Sequence, residues 1–323
     1  MRILTIVAAV IALSVPARAQ QSDAQRHCMA ANLTAEQRLQ NCTAVIEASQ
    51  ETPQNLAIAY DRRGDLYLGM RDYDHALADF DVAVKLDPRS AEHLIGRGRT
   101  YHAKGQFDRA IADYDKAIAL RPGFAISFNN RGFAYEAKGQ HERAITDYDQ
   151  AIAIDPKFAA AFVNRGMAYR NKGRYNSALQ DFERALALNP NNSAALFDRA
   201  LVYQDKALWD FEAYQYEGRY EDLAITDYDE VIRRSPKNAA AFNNRANALL
   251  NRRQYDRALQ DYEEALRLNP NNAMYFKNRG NAYRITGQLD RAVADYRKAL
   301  GLKPDEATKK QVENALKELG LSG

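Results

Sequence analysis

The sequence has 323 residues, 46% of them apolar and 27% charged, with a formal net charge of +3 at pH 7. That composition is ordinary for a folded globular protein, and the length alone admits one large or two ordinary domains. The charge balance argues against a nucleic-acid or membrane-surface binder that works by counterion release, and no run of five like charges supplies a basic arm or an acidic tail.

In chain order, the first twenty residues read MRILTIVAAVIALSVPARAQ. Arg2 precedes an apolar run from Ile3 to Val15, and Ala17-Arg18-Ala19 puts small residues at both cleavage-determining places. The pattern predicts a secretory signal peptide over 1–19. The apolar run is shorter than the roughly 20 residues that cross a bilayer, and no cysteine at the cleavage site could carry a lipid anchor. Export is the expectation, to the periplasm if the host is bacterial and otherwise to the medium, with no integral membrane segment after leader removal. The net charge then falls to +1, because Arg2 and Arg18 leave with the leader.

Cys28 and Cys42 are the two cysteines. An even pair in an exported chain predicts a disulfide, and closing a loop of that size stabilises by about 3 kcal/mol in the chain-entropy model. The segment 20–56 is predicted to be a helical hairpin with one cysteine on each arm, capping the segment that begins at residue 57. Asn32-Leu33-Thr34 and Asn41-Cys42-Thr43 match glycosylation sequons, a short pattern that is meaningless in a bacterial host.

From residue 57 the chain repeats itself. GRGRTYHAKGQFDRAIADYDKAIALRP, ending at Pro122, returns as NRGFAYEAKGQHERAITDYDQAIAIDP, ending at Pro156. The offset of 34 residues divides the chain into 57–90, 91–124, 125–158, 159–192, 193–238, 239–272 and 273–306, about three quarters of its length. Within this frame position 8 is Gly or Ala (Gly64 to Gly280), position 20 is Ala (Ala76 to Ala292), position 24 is Phe or Tyr (Phe80 to Tyr296) and position 32 is Pro (Pro88 to Pro304). Each unit reads as two amphipathic helices. Small residues at 8 and 20 let them approach, aromatics at 4, 11 and 24 fill the space around that contact, and the proline ends the second helix. The pattern resembles the tetratricopeptide-repeat (TPR) signature. The resemblance implies an all-α, right-handed superhelical solenoid of antiparallel helix pairs, in which repeats stack because none can bury its apolar face alone. Residues 307–323 are predicted to provide the C-terminal capping helix.

Two features depart from the common signature. Position 7, usually leucine, is arginine in all seven repeats (Arg63, Arg97, Arg131, Arg165, Arg199, Arg245, Arg279), and position 23 is always aspartate (Asp79, Asp113, Asp147, Asp181, Asp227, Asp261, Asp295). Half-buried charge needs a partner, so an Arg–Asp ladder is expected, within or between repeats. The second departure is asparagine in the first helix: Asn130, Asn164, Asn244 and Asn278 at position 6, Asn129 and Asn243 at position 5, Asn247 and Asn281 at position 9. Asparagine costs a helix roughly half a kcal/mol relative to alanine, so its recurrence asks for a reason. TPR first helices line the concave groove, and these residues resemble the asparagine ladder of the TPR domain of O-linked N-acetylglucosamine transferase, whose amides hold an extended peptide backbone. Arg62, Gly96 and Asp198 interrupt the row at position 6. Arg170, Lys277 and Arg284 are basic residues expected in the same groove, but the set does not match the carboxylate clamp of chaperone-binding TPRs.

Repeat 5 carries twelve extra residues around KALWDFEAYQYE, a candidate second interface through Trp209, Phe211, Tyr214 and Tyr216. No catalytic motif, metal-ligand spacing, phosphate loop or dinucleotide fingerprint is present. The sequence therefore predicts a non-catalytic scaffold without cofactor or metal that binds an unidentified protein or peptide, and no nucleic acid, in its concave groove. The alternative is a structural protein that self-assembles through residues 206–217 or the convex face, which leaves homo-oligomerisation open.

Overall fold

The computed structural model describes residues 28, 30, 33–48, 51–209 and 218–321. The expected signal peptide and Phe211, Tyr214 and Tyr216 of the insertion lie outside the described residues, as do the side chain of Trp209 and nearly all of the first arm of the predicted hairpin. The described residues form sixteen α-helices and no strand, the all-α repeat solenoid that the resemblance implies. Cys28 and Cys42 are disulfide-bonded, with a Cα–Cα distance of 4.8 Å.

The chain divides into two compact units between Pro122 and Gly123. The first holds α1 (Ala35–Ala48) and the pairs α2 (Pro53–Gly69) with α3 (Tyr73–Leu86) and α4 (Ala91–Ala103) with α5 (Phe107–Leu120). The second holds α6 (Ala125–Ala137) with α7 (His141–Ile154), α8 (Ala159–Asn171) with α9 (Tyr175–Leu188), α10 (Ser193–Trp209) with α11 (Arg219–Arg234), α12 (Ala239–Asn251) with α13 (Tyr255–Leu268) and α14 (Ala273–Ile285) with α15 (Leu289–Gly301). It ends with α16 (Glu306–Glu318), whose Val312, Ala315 and Leu316 close the core around Tyr283 and Tyr296. Helix α2 starts one turn ahead of the repeat frame, at Pro53, because Thr52 caps it by accepting from the Asn55 N–H and proline suits the first turn. The repeat 5 insertion lengthens both of its helices: α10 has 17 residues where α8 has 13, and α11 has 16 where α9 has 14.

Local chemistry sets the period. Between repeats, Asp87, Asp155 and Asn189 precede the proline and accept from the backbone N–H two residues on, an Asx turn that fixes the reversal. Inside each pair, position 15 is left-handed. It is glycine at Gly139, Gly173 and Gly287 of the second unit, but Arg253 takes it with φ +59° and is exposed. A side chain there carries backbone strain. Arg253→Gly is therefore expected to raise stability by about 0.5–1 kcal/mol, measurable by urea denaturation.

The core is the contact between small and aromatic residues. A Cβ on Gly132 would lie 2.8 Å from the Tyr148 ring and one on Gly280 2.8 Å from the Tyr296 ring. The position 24 ring thus occupies the space that position 8 leaves empty. Within each unit a first helix touches the first helix of the next repeat (α2 with α4; α6 with α8, α8 with α10, α10 with α12, α12 with α14), whereas no two second helices touch among the described residues. First helices therefore form the inner layer of each unit and second helices the outer one.

Candidate functional site

The arginine–aspartate pattern resolves into seven intra-repeat pairs. In each, arginine Nε and Nη2 donate to the two carboxylate oxygens at 2.6–2.8 Å. A planar fork meeting a carboxylate in this way is the strongest form of ion pair. Position 4 and 11 aromatics flank the guanidinium at 5.5–6.0 Å, as Phe162 and Tyr169 do Arg165. Arg97, Arg165 and Arg245 each reach one more carboxylate in the preceding repeat: Asp81, Asp149 and Asp229. The hydrogen bonds that Arg165 and Arg199 donate to Asp181 and Asp227 raise their basicity against the opposing effect of burial. This ladder ties first to second helices and is structural.

The asparagines lie on the inner layer of the second unit and form two copies of one relay. Asn164 Nδ2 donates to Asn129 Oδ1 at 2.9 Å, and Asn129 Nδ2 donates to Asn130 Oδ1 at 3.4 Å. Asn278 Nδ2 donates to Asn243 Oδ1 at 2.9 Å, and Asn243 Nδ2 donates to Asn244 Oδ1 at 3.0 Å. Position 6 of one repeat thus bonds to position 5 of the repeat before, which bonds to its own neighbour at position 6. Asn129, Asn243 and Asn278 are buried; Asn130, Asn164 and Asn244 are half-buried. The Asn130 Nδ2 is buried with no hydrogen-bond partner among the described residues. Asn247 and Asn281 serve differently, accepting from the Tyr262 and Tyr296 phenols at 2.5 and 2.7 Å.

Arg170, Lys277 and Arg284, the basic residues expected in the groove, are engaged within the chain. Arg170 Nε donates to Asp205 at 2.6 Å, Lys277 Nζ to Gln311 at 2.8 Å and Arg284 Nη1 to Glu318 at 3.2 Å. Burial lowers the Lys277 ammonium pKa.

The position 24 phenols add a set of polar contacts that the repeat pattern alone did not single out, although their signal is plain: tyrosine rather than phenylalanine at a buried place needs an acceptor. Tyr228 donates to Gln204 Oε1 at 2.7 Å, and Gln204 Nε2 donates to the Asn244 carbonyl at 2.9 Å. Tyr148 is fully buried and its hydroxyl has no partner among the described residues, because position 9 of that repeat is Phe133, half exposed, rather than asparagine. Glu136 nearby is occupied by His141 and Asn171. Phe133→Asn should supply the oxygen that Asn247 supplies to Tyr262 and raise the unfolding free energy by about 1 kcal/mol; an unchanged or lower urea midpoint would show that Tyr148 gains nothing.

The inner layer of the first unit has another character. His93 Nδ1 and Asp61 Oδ1 are 2.8 Å apart and both residues are buried. Burial and the neighbouring Asp61 raise the Asp65 carboxyl pKa. Among the described residues no group of three or more His, Cys, Asp or Glu side chains could hold a metal ion, and no helix is long and apolar enough to cross a membrane.

Comparison with known proteins accords with this geometry. Family models described as TPR repeat or tetratricopeptide repeat match residues 57–90, 98–139, 135–173, 159–192, 211–259 and 243–307. No curated protein sequence matches the chain. Among solved structures, a chain of the APC/C hetero-tetramer Cut9–Hcn1 superposes with TM-score 0.67 and 18% identity over 87% of this chain and 53% of its own, so this chain spans about half its length. Human IFIT1, solved as a dimer with PPP-AAAA, gives TM-score 0.66 and 18% identity over 88% of this chain and 69% of its own. A tetratricopeptide repeat protein from Parabacteroides merdae gives 0.59 and 19% over 79% and 97%. At these identities the likeness is one of fold. Stacked helix pairs and repeat models from one end of the array to the other lead to one assignment: the chain belongs to the tetratricopeptide-repeat family.

Proposed function

We propose that the chain is a non-catalytic scaffold that holds an extended polypeptide along the inner layer of residues 123–323. TPR repeats of this kind support a role in protein interaction. The observation that carries the finer reading is the pair of amide relays. A primary amide offers two N–H donors and two acceptor lone pairs, and each relay spends only part of that capacity. The buried position 5 amides, Asn129 and Asn243, orient the half-buried position 6 amides beside them, and Asn130 keeps an unspent buried donor. Asn130, Asn164 and Asn244 are half-buried, so the accessible part of each amide can meet the carbonyls and N–H groups of a guest backbone. Backbone carbonyls and amides are common to every extended peptide, so recognition of this type tolerates many sequences. The test is peptide affinity after Asn130, Asn164 and Asn244 are changed together to alanine, with the fold monitored in parallel: lost affinity supports the reading, and retained affinity in a folded variant ends it.

A further inference from the structure

At position 6 of repeat 5 the amide row is replaced by Asp198, on α10. The relay cannot operate there. Asn164 and Asn278 find an amide at position 5 of the preceding repeat, but the corresponding residue before Asp198 is Val163, and position 5 of its own repeat is Phe197. Asp198 is half-buried on the inner layer, and its carboxylate makes no ion pair or hydrogen bond among the described residues. Its surroundings are polar but already committed. From α8, Arg170 is held by Asp205 of α10 at 2.6 Å; from α11, the Tyr228 hydroxyl is held by Gln204; from α12, the Asn244 carbonyl accepts from Gln204. Asp198 and Asp205 lie seven residues apart on α10, two turns along one face of the helix, so the Arg170–Asp205 pair sits on the same face as Asp198. The cluster holds two carboxylates and one guanidinium, a net charge of −1 when Asp198 is ionised.

We infer that Asp198 selects the guest: it receives a basic side chain, lysine or arginine, of the polypeptide lying on the inner layer. This rests on the groove reading above and adds a specificity that the amides lack. An unpaired carboxylate in a half-dry site is costly, and a cation that arrives with the guest removes the cost, which is how charge complementarity chooses among partners. Burial pushes the Asp198 carboxyl up to about 6, opposed only by Arg170. The ionised form that attracts a cation is therefore full above that pH and lost as pH falls through it.

The test uses the purified chain, wild type and Asp198→Asn, each selecting peptides from the same randomised displayed library. Asparagine is the residue that position 6 carries in neighbouring repeats, so the variant should fold. Wild type is expected to enrich peptides with a basic residue at one fixed register, and the variant to select without it. A wild-type-selected peptide in which that lysine becomes norleucine should lose about tenfold or more in affinity for wild type and little for the variant. Its binding to wild type should also weaken between about pH 7.5 and about pH 5, with the variant flat over the same interval. Enrichment without a basic register, or an equal norleucine effect on both proteins, overturns the assignment of Asp198 while leaving the groove intact. Failure of both proteins to select any peptide overturns the groove reading and this inference with it.

Discussion

Replacing Asp227 with alanine should lower the stability of the chain by about 3–5 kcal/mol. Asp227 is buried, and both its oxygens are taken by Arg199, at 2.8 and 2.7 Å. Arg199 is itself mostly covered, with 21% of its side chain exposed. Truncating the aspartate strands a guanidinium between α10 and α11, with the Tyr203 ring, 5.9 Å from its centre, as weak compensation. The cost is that of an uncompensated buried charge, which is larger than the net worth of the pair. The double variant Arg199→Met with Asp227→Leu, which removes both charges and keeps the volume apolar, should recover most of the loss. Urea denaturation of the four proteins in the cycle isolates the coupling. A single variant within about 0.5 kcal/mol of wild type would show that the pair contributes little, as exposed pairs do.

The fold was legible because each repeat states it again. Glycine or alanine at position 8, alanine at 20, an aromatic at 24 and proline at 32 are separate constraints, and every one maps onto a contact or a turn. The ladder could also be read, since charge that recurs seven times at two places on facing helices has to pair. What the residues left open was whether the pairs form within a repeat or between repeats. The answer depends on where arginine Nε and Nη2 lie, which helix packing decides.

The site was legible only in part. The resemblance put the asparagines on the inner side of the first helices but left open the division of labour among them. Whether Asn129 presents itself to a guest or orients Asn130 depends on burial and on a partner 35 residues away, Asn164. The clue was the doubled pairs, Asn129-Asn130 and Asn243-Asn244, each followed one repeat later by a single position 6 amide. Asn247 and Asn281 looked equivalent to the others, yet their oxygens serve the phenols beneath them. Gly96, which reads as a simple gap in the row, has a steric cause: a Cβ there would lie 2.2 Å from the Phe80 ring. Asp198 likewise reads as an interruption until Val163 and Phe197 explain why no amide relay could form there.

The most direct measurement of the central claim is the affinity of the Asn130/Asn164/Asn244→Ala variant for peptides selected on wild type, determined by fluorescence anisotropy beside a thermal melt of the same samples. Three amides contributing about 1 kcal/mol each correspond to a roughly hundredfold loss of affinity. The melt should also shift down, because the buried Asn129 and Asn243 amides lose partners, so affinity is compared at a temperature where the variant is folded. A roughly hundredfold weaker complex on a folded variant is the expected result. Undiminished binding on a folded variant would mean that the inner-layer amides hold the scaffold together and nothing else.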